Sequence, residues 1–297
     1  MKKTLDLSDI ARGLAEGPEG QAKIDRLEKA QYQLTETLLQ MLKRVRPYEI
    51  PVRTDKNTIK FGLIGDTHIG SLYQRLDALG HFYDRCYNEG VLDILHAGDV
   101  LAGWKVYRGQ EFELHPSAIG FSRQRDMFAS EVPQKDGMRT IFVTGNHDAS
   151  FKKQNNVIPG EELARVRADW KFVGEDTAAV TLVAKDGQKF TVHLLHPGGG
   201  TAYAVSYHSQ KIIESLSGGQ KPDLIAIGHY HKSFYMPAYR NVACLEVGCF
   251  ESQTPFMIQH SIAAHVGGWI ITVALNDRKK LTNRIQAEWI GFFEEQK

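Results

Sequence analysis

Cysteine is scarce: Cys86, Cys244 and Cys249 are the only thiols in 297 residues. An odd number without paired spacing excludes the disulfide framework of a small secreted domain and points to a reducing compartment. Long apolar runs are missing as well. No stretch approaches the roughly 18 residues that suggest a membrane span, and the opening MKKTLDLSDIARG has no apolar signal-peptide core. The expectation is a cytoplasmic protein with no membrane partner. Neither sign of charge is in excess, since 36 Lys and Arg face 35 Asp and Glu. That balance gives no global pull toward nucleic acid or anionic lipid, so any polyanion preference must be local. What remains, 42% hydrophobic and 10% aromatic residues, is enough for one large core or for a domain with an appendage.

Residues 1–52 differ in texture from the rest, being rich in Leu, Gln, Glu, Lys and Ala, and read as a helical N-terminal region. Within it Ile24, Leu27, Gln31, Leu34, Leu38, Met41 and Val45 fall at alternating steps of three and four, the a/d seam of about three heptads. The seam suits either an amphipathic helix packed on its own domain or a homodimer contact with Gln31 as a polar register position. Pro47 and Pro51 end the helix and mark a linker, which assigns the main body to residues 53–297.

That body alternates β-rich runs with helical stretches. Strands are predicted at Ile59–Ile64, Val91–His96, Thr140–Thr144, Val180–Val183, Phe190–Leu195, Leu224–Ile227, Val242–Val247 and Trp269–Leu275. Helices are predicted at Tyr73–Asn88, 117–130, 160–168 and Tyr203–Leu216. The pattern is α/β, with a more β-rich later half.

Several of these strands end in the same grammar, an apolar run followed by a tight polar turn. The first runs into Gly65-Asp66-Thr67-His68, the second into Gly98-Asp99, the third into Gly145-Asn146-His147-Asp148. Leu194-Leu195 leads to His196 and a Pro-Gly-Gly-Gly turn, and Ile227 to Gly228-His229-Tyr230-His231. In open α/β sheets ligands bind outside the carboxyl ends of the strands, so turns distant in sequence can converge. Aspartate brings hard oxygen and can bridge two cations, imidazole suits borderline metals, and asparagine adds a neutral carbonyl. The mixture points to manganese, iron or zinc.

The ordered set DxH, GD, GNHD, H and GHxH resembles the calcineurin-like metallophosphoesterase family over roughly residues 58 to 275. The resemblance implies a four-layer α/β/β/α metallophosphoesterase sandwich carrying the N-terminal helical appendage, with two divalent ions, manganese expected first and iron or zinc as alternatives. It implies Asp66, His68 and His231 on one ion, Asn146, His196 and His229 on the other, and Asp99 bridging. His147 matches the catalytic histidine that binds no metal, and Asp148 either orients it or caps a helix. Such a pair of ions polarises a phosphoryl group and activates a water for in-line attack, and an imidazole beside the leaving oxygen can protonate it.

Substrate class rests on finer marks. The segments GDVLAGW and GNHD depart from the GDxVDRG and GNHE of protein phosphatases, whereas the stretch from Asp66 to Leu101 is similar to the first segment of SbcD-type DNA repair exonucleases. No counterpart of the exonucleases' capping domain is expected in these 297 residues. Trp104, Lys105, Tyr107, Arg108 and Arg123 interleave rings and cations directly after Asp99, as a single strand of nucleic acid requires, and Lys152 follows the GNHD motif. The expected function is a DNA nuclease. The alternatives are a phosphodiesterase or phosphomonoesterase for small nucleotides, and a non-catalytic DNA-binding subunit on the same scaffold.

Overall fold

The computed structural model describes residues 48–51, 58–200, 204–217, 219, 221–275 and 284–293. The heptad seam, and with it the expected dimer contact, lies outside the described residues.

Two six-stranded sheets pack face to face. The first contains β2 (Thr58–Ile64), β3 (Asp93–Ala97), β4 (Arg139–Thr144) and β5 (Trp170–Glu175), all parallel, with β11 (Gly267–Ala274) and β12 (Arg284–Gly291) added antiparallel, in the order β12-β11-β2-β3-β4-β5. The second runs β1-β6-β7-β8-β10-β9, from β1 (Tyr48–Pro51), β6 (Thr177–Val183), β7 (Lys189–Leu195), β8 (Leu224–Ile227), β9 (Ser233–Tyr239) and β10 (Val242–Val247). Pro47 and Pro51 were expected to mark a linker, yet Tyr48–Pro51 pairs in parallel with β6. Proline is tolerated there because β1 is a sheet edge and needs no inward ladder donor.

Strand alternation explains the layering. Ile59, Phe61 and Leu63 of β2 point between the sheets, where they meet Leu95, Val143, Val180, Phe190, Val192, Leu245 and Ile271 in one buried cluster. Ile64 points the other way, into a second cluster with Phe82 and Cys86 of α1 (Leu76–Asn88), Phe121 and Phe128 of α2 (Phe121–Glu131), and Leu163 of α4 (Pro159–Val166). On the far side Ile213 of α5 (Tyr207–Ser215) covers Ile225, Val242 and Cys244. The result is a helix layer, two sheets and a helix layer. Two short helices, α3 (Asn146–Asn155) and α6 (Pro255–Gln259), sit at strand ends.

One buried carboxylate faces α5 instead. Burial pushes Glu246 of β10 up to about 7, against the hydrogen bond donated by the Ser209 hydroxyl at 3.0 Å. A folded-state value above the unfolded one means that its contribution is present at low pH and lost as pH rises through about 7. Glu246→Gln is therefore expected to unfold about 1–2 kcal/mol harder than the parent at pH 8.5, with the gain shrinking toward zero at pH 5. Denaturant melts at the two pH values check this.

Candidate metal centre

The parallel strands β2, β3 and β4 of one sheet, and β7 and β8 of the other, deliver their carboxyl ends to one place. Backbone hydrogen bonds lace the turns together. Asp66 N–H donates to Gly98 O at 2.9 Å, His68 N–H to Asp99 O at 3.2 Å, and Gly228 N–H to Leu195 O at 3.0 Å. Asp66, His68, Asp99, His229 and His231 all hold left-handed backbone, with φ between +44° and +79°. Such values are uncommon for residues with a Cβ and persist where the surroundings over-determine them.

The side chains form two groups. In the first, His231 Nε2 lies 3.4 Å and His68 Nε2 3.9 Å from Asp66 Oδ1, and the two Nε2 atoms are 3.1 Å apart. In the second, His196 Nε2 lies 3.0 Å from Asp99 Oδ2 and 3.1 Å from Asn146 Oδ1, and His229 joins Asp99 and His196 within ligand-sharing range. Asp99 also groups with His68 and His147, so it stands between the two sets. Ligand atoms about 2.1 Å from a common cation stand about 3.0–3.4 Å apart at octahedral or tetrahedral angles, and the separations given for both groups fall there except that of His68 from Asp66, at 3.9 Å.

Hydrogen bonds to backbone carbonyls fix which ring nitrogens are bare. His196 donates from Nδ1 to Ala97 O at 2.9 Å, leaving Nε2 for a cation; His229 donates from Nε2 to Gly199 O at 2.7 Å, leaving Nδ1. His196 fits its slot because three glycines surround it. A Cβ on Gly98, Gly145 or Gly228 would stand 2.5, 2.6 or 2.8 Å from its ring.

Electrostatics carry the same signature. Burial works against charge on every one of these groups, yet the neighbouring imidazoles of His231 and His68 hold Asp66 well below the carboxylate range, and His196 and His147 hold Asp99 far down. Burial would lower His196 too, but Asp99 raises it to about 10; Glu251 and Asp66 raise His68 in the same way. Protons occupy the place of positive charge, and a cation must compete with them. Donor types, spacing and electrostatics thus all fit a pair of divalent ions.

His147 stands apart from these donors. Its Nδ1 donates to Ala102 O at 2.6 Å, its backbone N–H donates to Asp99 Oδ1 at 2.8 Å, and burial lowers it to about 4. Asp148 does not touch that ring. Its carboxylate accepts backbone N–H groups from Val100, Leu101 and Gly145 at 3.1, 2.8 and 2.9 Å, pinning the Asp99 turn to the start of α3. Of the two roles expected for Asp148, the structure shows the capping one. Burial and the Asp99 charge push it up to about 7. His96, one strand turn away, is a satisfied core residue: Thr67 Oγ1 gives its single hydrogen to Val100 O, so His96 Nε2–H must donate to Thr67 Oγ1, and Nδ1 accepts from Gly98 N–H.

A cavity of about 250 Å³ opens beside the cluster. Of the residues expected to bind substrate, Tyr107 alone lines it. Trp104 is half-buried against the α1/α2 core, with the Lys105 ammonium 5.6 Å from its ring centre. Arg108 and Arg123 are exposed elsewhere, and the Lys152 ammonium is taken by both oxygens of Glu175 at 2.7 Å. The aromatic-basic insertion folds back on itself because Phe121, Met127 and Phe128 bury as one face of α2, which turns the cations outward. Besides Val106 and Tyr107, the cavity wall comes from the segment after β10, through Glu251, Thr254, Phe256, Met257 and Ile262. Glu251 could have been found: Glu246-Val247-Gly248-Cys249-Phe250-Glu251 repeats the strand-then-glycine grammar of the other turns.

The chain matches the family described as Calcineurin-like phosphoesterase over residues 59–246, and it belongs to that family. Its curated relatives include the DNA polymerase II small subunits of two strains of Halobacterium salinarum, each 26% identical over 250 residues, covering 72% of this chain and 48% of the relative. The chain thus spans about half the length of these relatives. Solved structures that overlap it include Vacuolar Protein Sorting 29 from Cryptosporidium parvum, at 13% identity and a TM-score of 0.39 over 79% of this chain and 99% of that one. Another is a predicted phosphoesterase from Streptococcus pneumoniae, at 11% identity and a TM-score of 0.36 over 79% and 98%. Overlaps this loose add nothing to the reading of the chemistry.

Proposed function

We propose that the chain is a two-metal phosphodiesterase that hydrolyses DNA, with Asp66, His68, His231 and Asp99 holding one ion and Asp99, Asn146, His196 and His229 the other. The observation that carries this reading is that the two donor groups meet, Asp99 belonging with His68 of the first and with His196 and His229 of the second, with His147 in place beside it. A scaffold that had abandoned catalysis would have no need of a half-buried His147 gripped at Nδ1 and at its backbone nitrogen. Two divalent ions at this place supply Lewis acidity to the phosphoryl oxygens and the attacking nucleophile. The protein's own part is positional. Ala102 O holds the proton of His147 on Nδ1, so Nε2 faces the cavity as an acceptor at neutral pH. The negative charge of an arriving phosphodiester raises the imidazole, and Nε2 then carries a proton to the leaving oxygen.

DNA as the substrate class draws on the polymerase-subunit relatives and on the SbcD-like segment from Asp66 to Leu101. Manganese is the expected ion, and three buried free thiols, Cys86, Cys244 and Cys249, support a reducing, cytoplasmic setting. The full chain with manganese is expected to hydrolyse both bis-p-nitrophenyl phosphate and DNA, and His147→Ala to lower kcat on DNA by about 10²–10⁴-fold. Turnover of a phosphomonoester alone would assign the chain to small nucleotides. Manganese binding without any turnover would assign it to the non-catalytic subunits.

A further inference from the structure

Each of the two sheets ends in two outer strands, and β1, β5 and β9 carry devices that discourage further pairing. β1 is short and ends in Pro51; β5 bulges at Val173, since Phe142 pairs with Phe172 but Val143 with Gly174; β9 holds Pro237 inside a register shift between its pairs with Val242 and Cys244. The remaining edge, β12, has none of these. It runs 8 residues without proline, and every one pairs with β11 in unbroken register.

The direction of its amides follows from one hydrogen bond. Phe292 N–H donates to Val266 O at 2.9 Å, the next pair in register after Gly291 and Gly267, so the even-numbered residues bond to β11 and the amides of Ile285, Ala287 and Trp289 point off the sheet. Gly267 agrees, because its N–H donates away from β12, to Cys249 O at 2.9 Å. Among the described residues none bonds to those outward amides. The side chains of Ile285, Ala287 and Trp289 pack against the inter-sheet core yet stay half-exposed, as the rim of a layer does where the sheet stops.

An edge of this kind takes another strand, and this one is complementary to itself. Opposite residues of an antiparallel pair point to the same face, so two copies keep their apolar faces together only where partners differ by an even number. Centring on Glu288 sets like charges against each other. Centring on Gln286 leaves the Trp289 amide facing a position ahead of Arg284, where β12 begins. Centring on Ala287 satisfies all the outward groups: Ile285 exchanges hydrogen bonds with Trp289 of the second copy, and Ala287 with its own twin. It also sets the Ile285 side chain against the Trp289 ring, Gln286 against Glu288, and Arg284 on the diagonal from Glu288 of the second copy, all favourable cross-strand neighbours. We infer that the chain forms a homodimer by antiparallel pairing of β12 with β12 about Ala287, which joins two six-stranded sheets into one continuous sheet and closes the open rim of each inter-sheet core. The two-fold axis reverses the strands, so the two metal centres lie at opposite ends of the joined sheet.

The test uses the full chain. Sedimentation equilibrium at about 100 µM, well above the Kd of a specific interface, is expected to give twice the mass of one chain. Ala287→Pro removes the central outward N–H without touching the β11 ladder, because proline is accepted where the N–H faces off an edge. It is expected to weaken the dimer at least about 10-fold and to leave the far-UV circular dichroism of the dilute chain unchanged. Gln286→Cys and Glu288→Cys report the register. Opposite each other in a non-hydrogen-bonded pair, their Cα atoms would stand about 4.5 Å apart, within reach of a disulfide. The two variants mixed and oxidised should therefore link chain to chain, while neither links alone; the native thiols Cys86, Cys244 and Cys249 are buried and do not compete. This measurement decides the matter if the proline variant does not fold. A dimer that Ala287→Pro leaves intact, or cysteine variants that fail to link in the mixture or link equally well alone, overturns the inference. So does a chain that stays monomeric at this concentration, which leaves the edge to a strand of a different protein.

Discussion

Asp99→Ala is expected to abolish hydrolysis of DNA and of bis-p-nitrophenyl phosphate, with kcat falling at least about 10³-fold, and to reduce bound manganese from about two equivalents to at most one. The expectation follows from the place of this carboxylate. It is 1% exposed, its Oδ2 lies 3.0 Å from His196 Nε2, its Oδ1 accepts the His147 N–H at 2.8 Å, and it belongs to both groups that include His68 and His229. No other carboxylate among the described residues spans the two groups. Losing any terminal donor would weaken one ion; losing Asp99 would untie both and release the backbone of His147. Asp99→Asn separates these parts, since the amide oxygen can still accept from His147 N–H but supplies no charge to cations. Its activity should stay within about 10-fold of the alanine variant, because the charge, rather than the hydrogen bond, is what two neighbouring cations require. Metal content by elemental analysis and kcat on both substrates check the pair. Full activity in the alanine variant would dismiss the two-metal reading.

Gly145→Ala is expected to cost about 100-fold or more in kcat while the fold survives. The backbone itself would accept the change, because Gly145 has φ −132° and ψ −167°, extended values open to any residue. The obstacle is purely the space beyond it. A Cβ there would lie 2.3 Å from Asp99 Oδ1 and 2.6 Å from His196 Cδ2, distances no real contact tolerates. Something must shift, and what shifts is the bridging carboxylate or the histidine beside it. A displacement of about 1 Å at a reacting centre costs on the order of 10²-fold, while overpacking of this kind costs about 1–3 kcal/mol in stability. Kinetics and a denaturant melt on the same preparation distinguish the two effects. A fully active variant would mean that the glycines serve the turns alone and that the slot around His196 is slack.

The centre was more legible in the sequence than its surroundings, for a physical reason. Candidate donor residues at strand ends are constrained jointly by the turn and by the chemistry a cation would require, so their identity and order show through: Asp66, Asp99, Asn146, His196, His229 and His231 come together at the ends of the strands predicted for them. The strands escaping prediction are β1, β5, β9 and β12, which are the outer edges of the two sheets. An edge strand buries little and reads as mixed polarity. β9 even contains Pro237, and β12 alternates exposed Arg284, Gln286 and Glu288 with half-buried Ile285, Ala287 and Trp289, a period-two signal without an apolar run to announce it. The cavity was misplaced for a different reason. Interleaved rings and cations after Asp99 look alike whether they face a ligand or bury one side against a helix layer, and only the burial of Phe121 and Phe128 decides. The other segment that lines the cavity, around Phe256, carries no charge pattern to mark it.

The left-handed turns of the centre bear on how such a chain could decay. Five residues other than glycine hold a conformation that disfavours each by roughly 1 kcal/mol, and their sum, about 5 kcal/mol, is comparable to the whole margin by which many domains stay folded. A descendant freed from its chemistry would become sturdier by exchanging any of them for glycine or asparagine, one step at a time. A chain that still bears aspartate and histidine at all five has kept the less comfortable choice throughout.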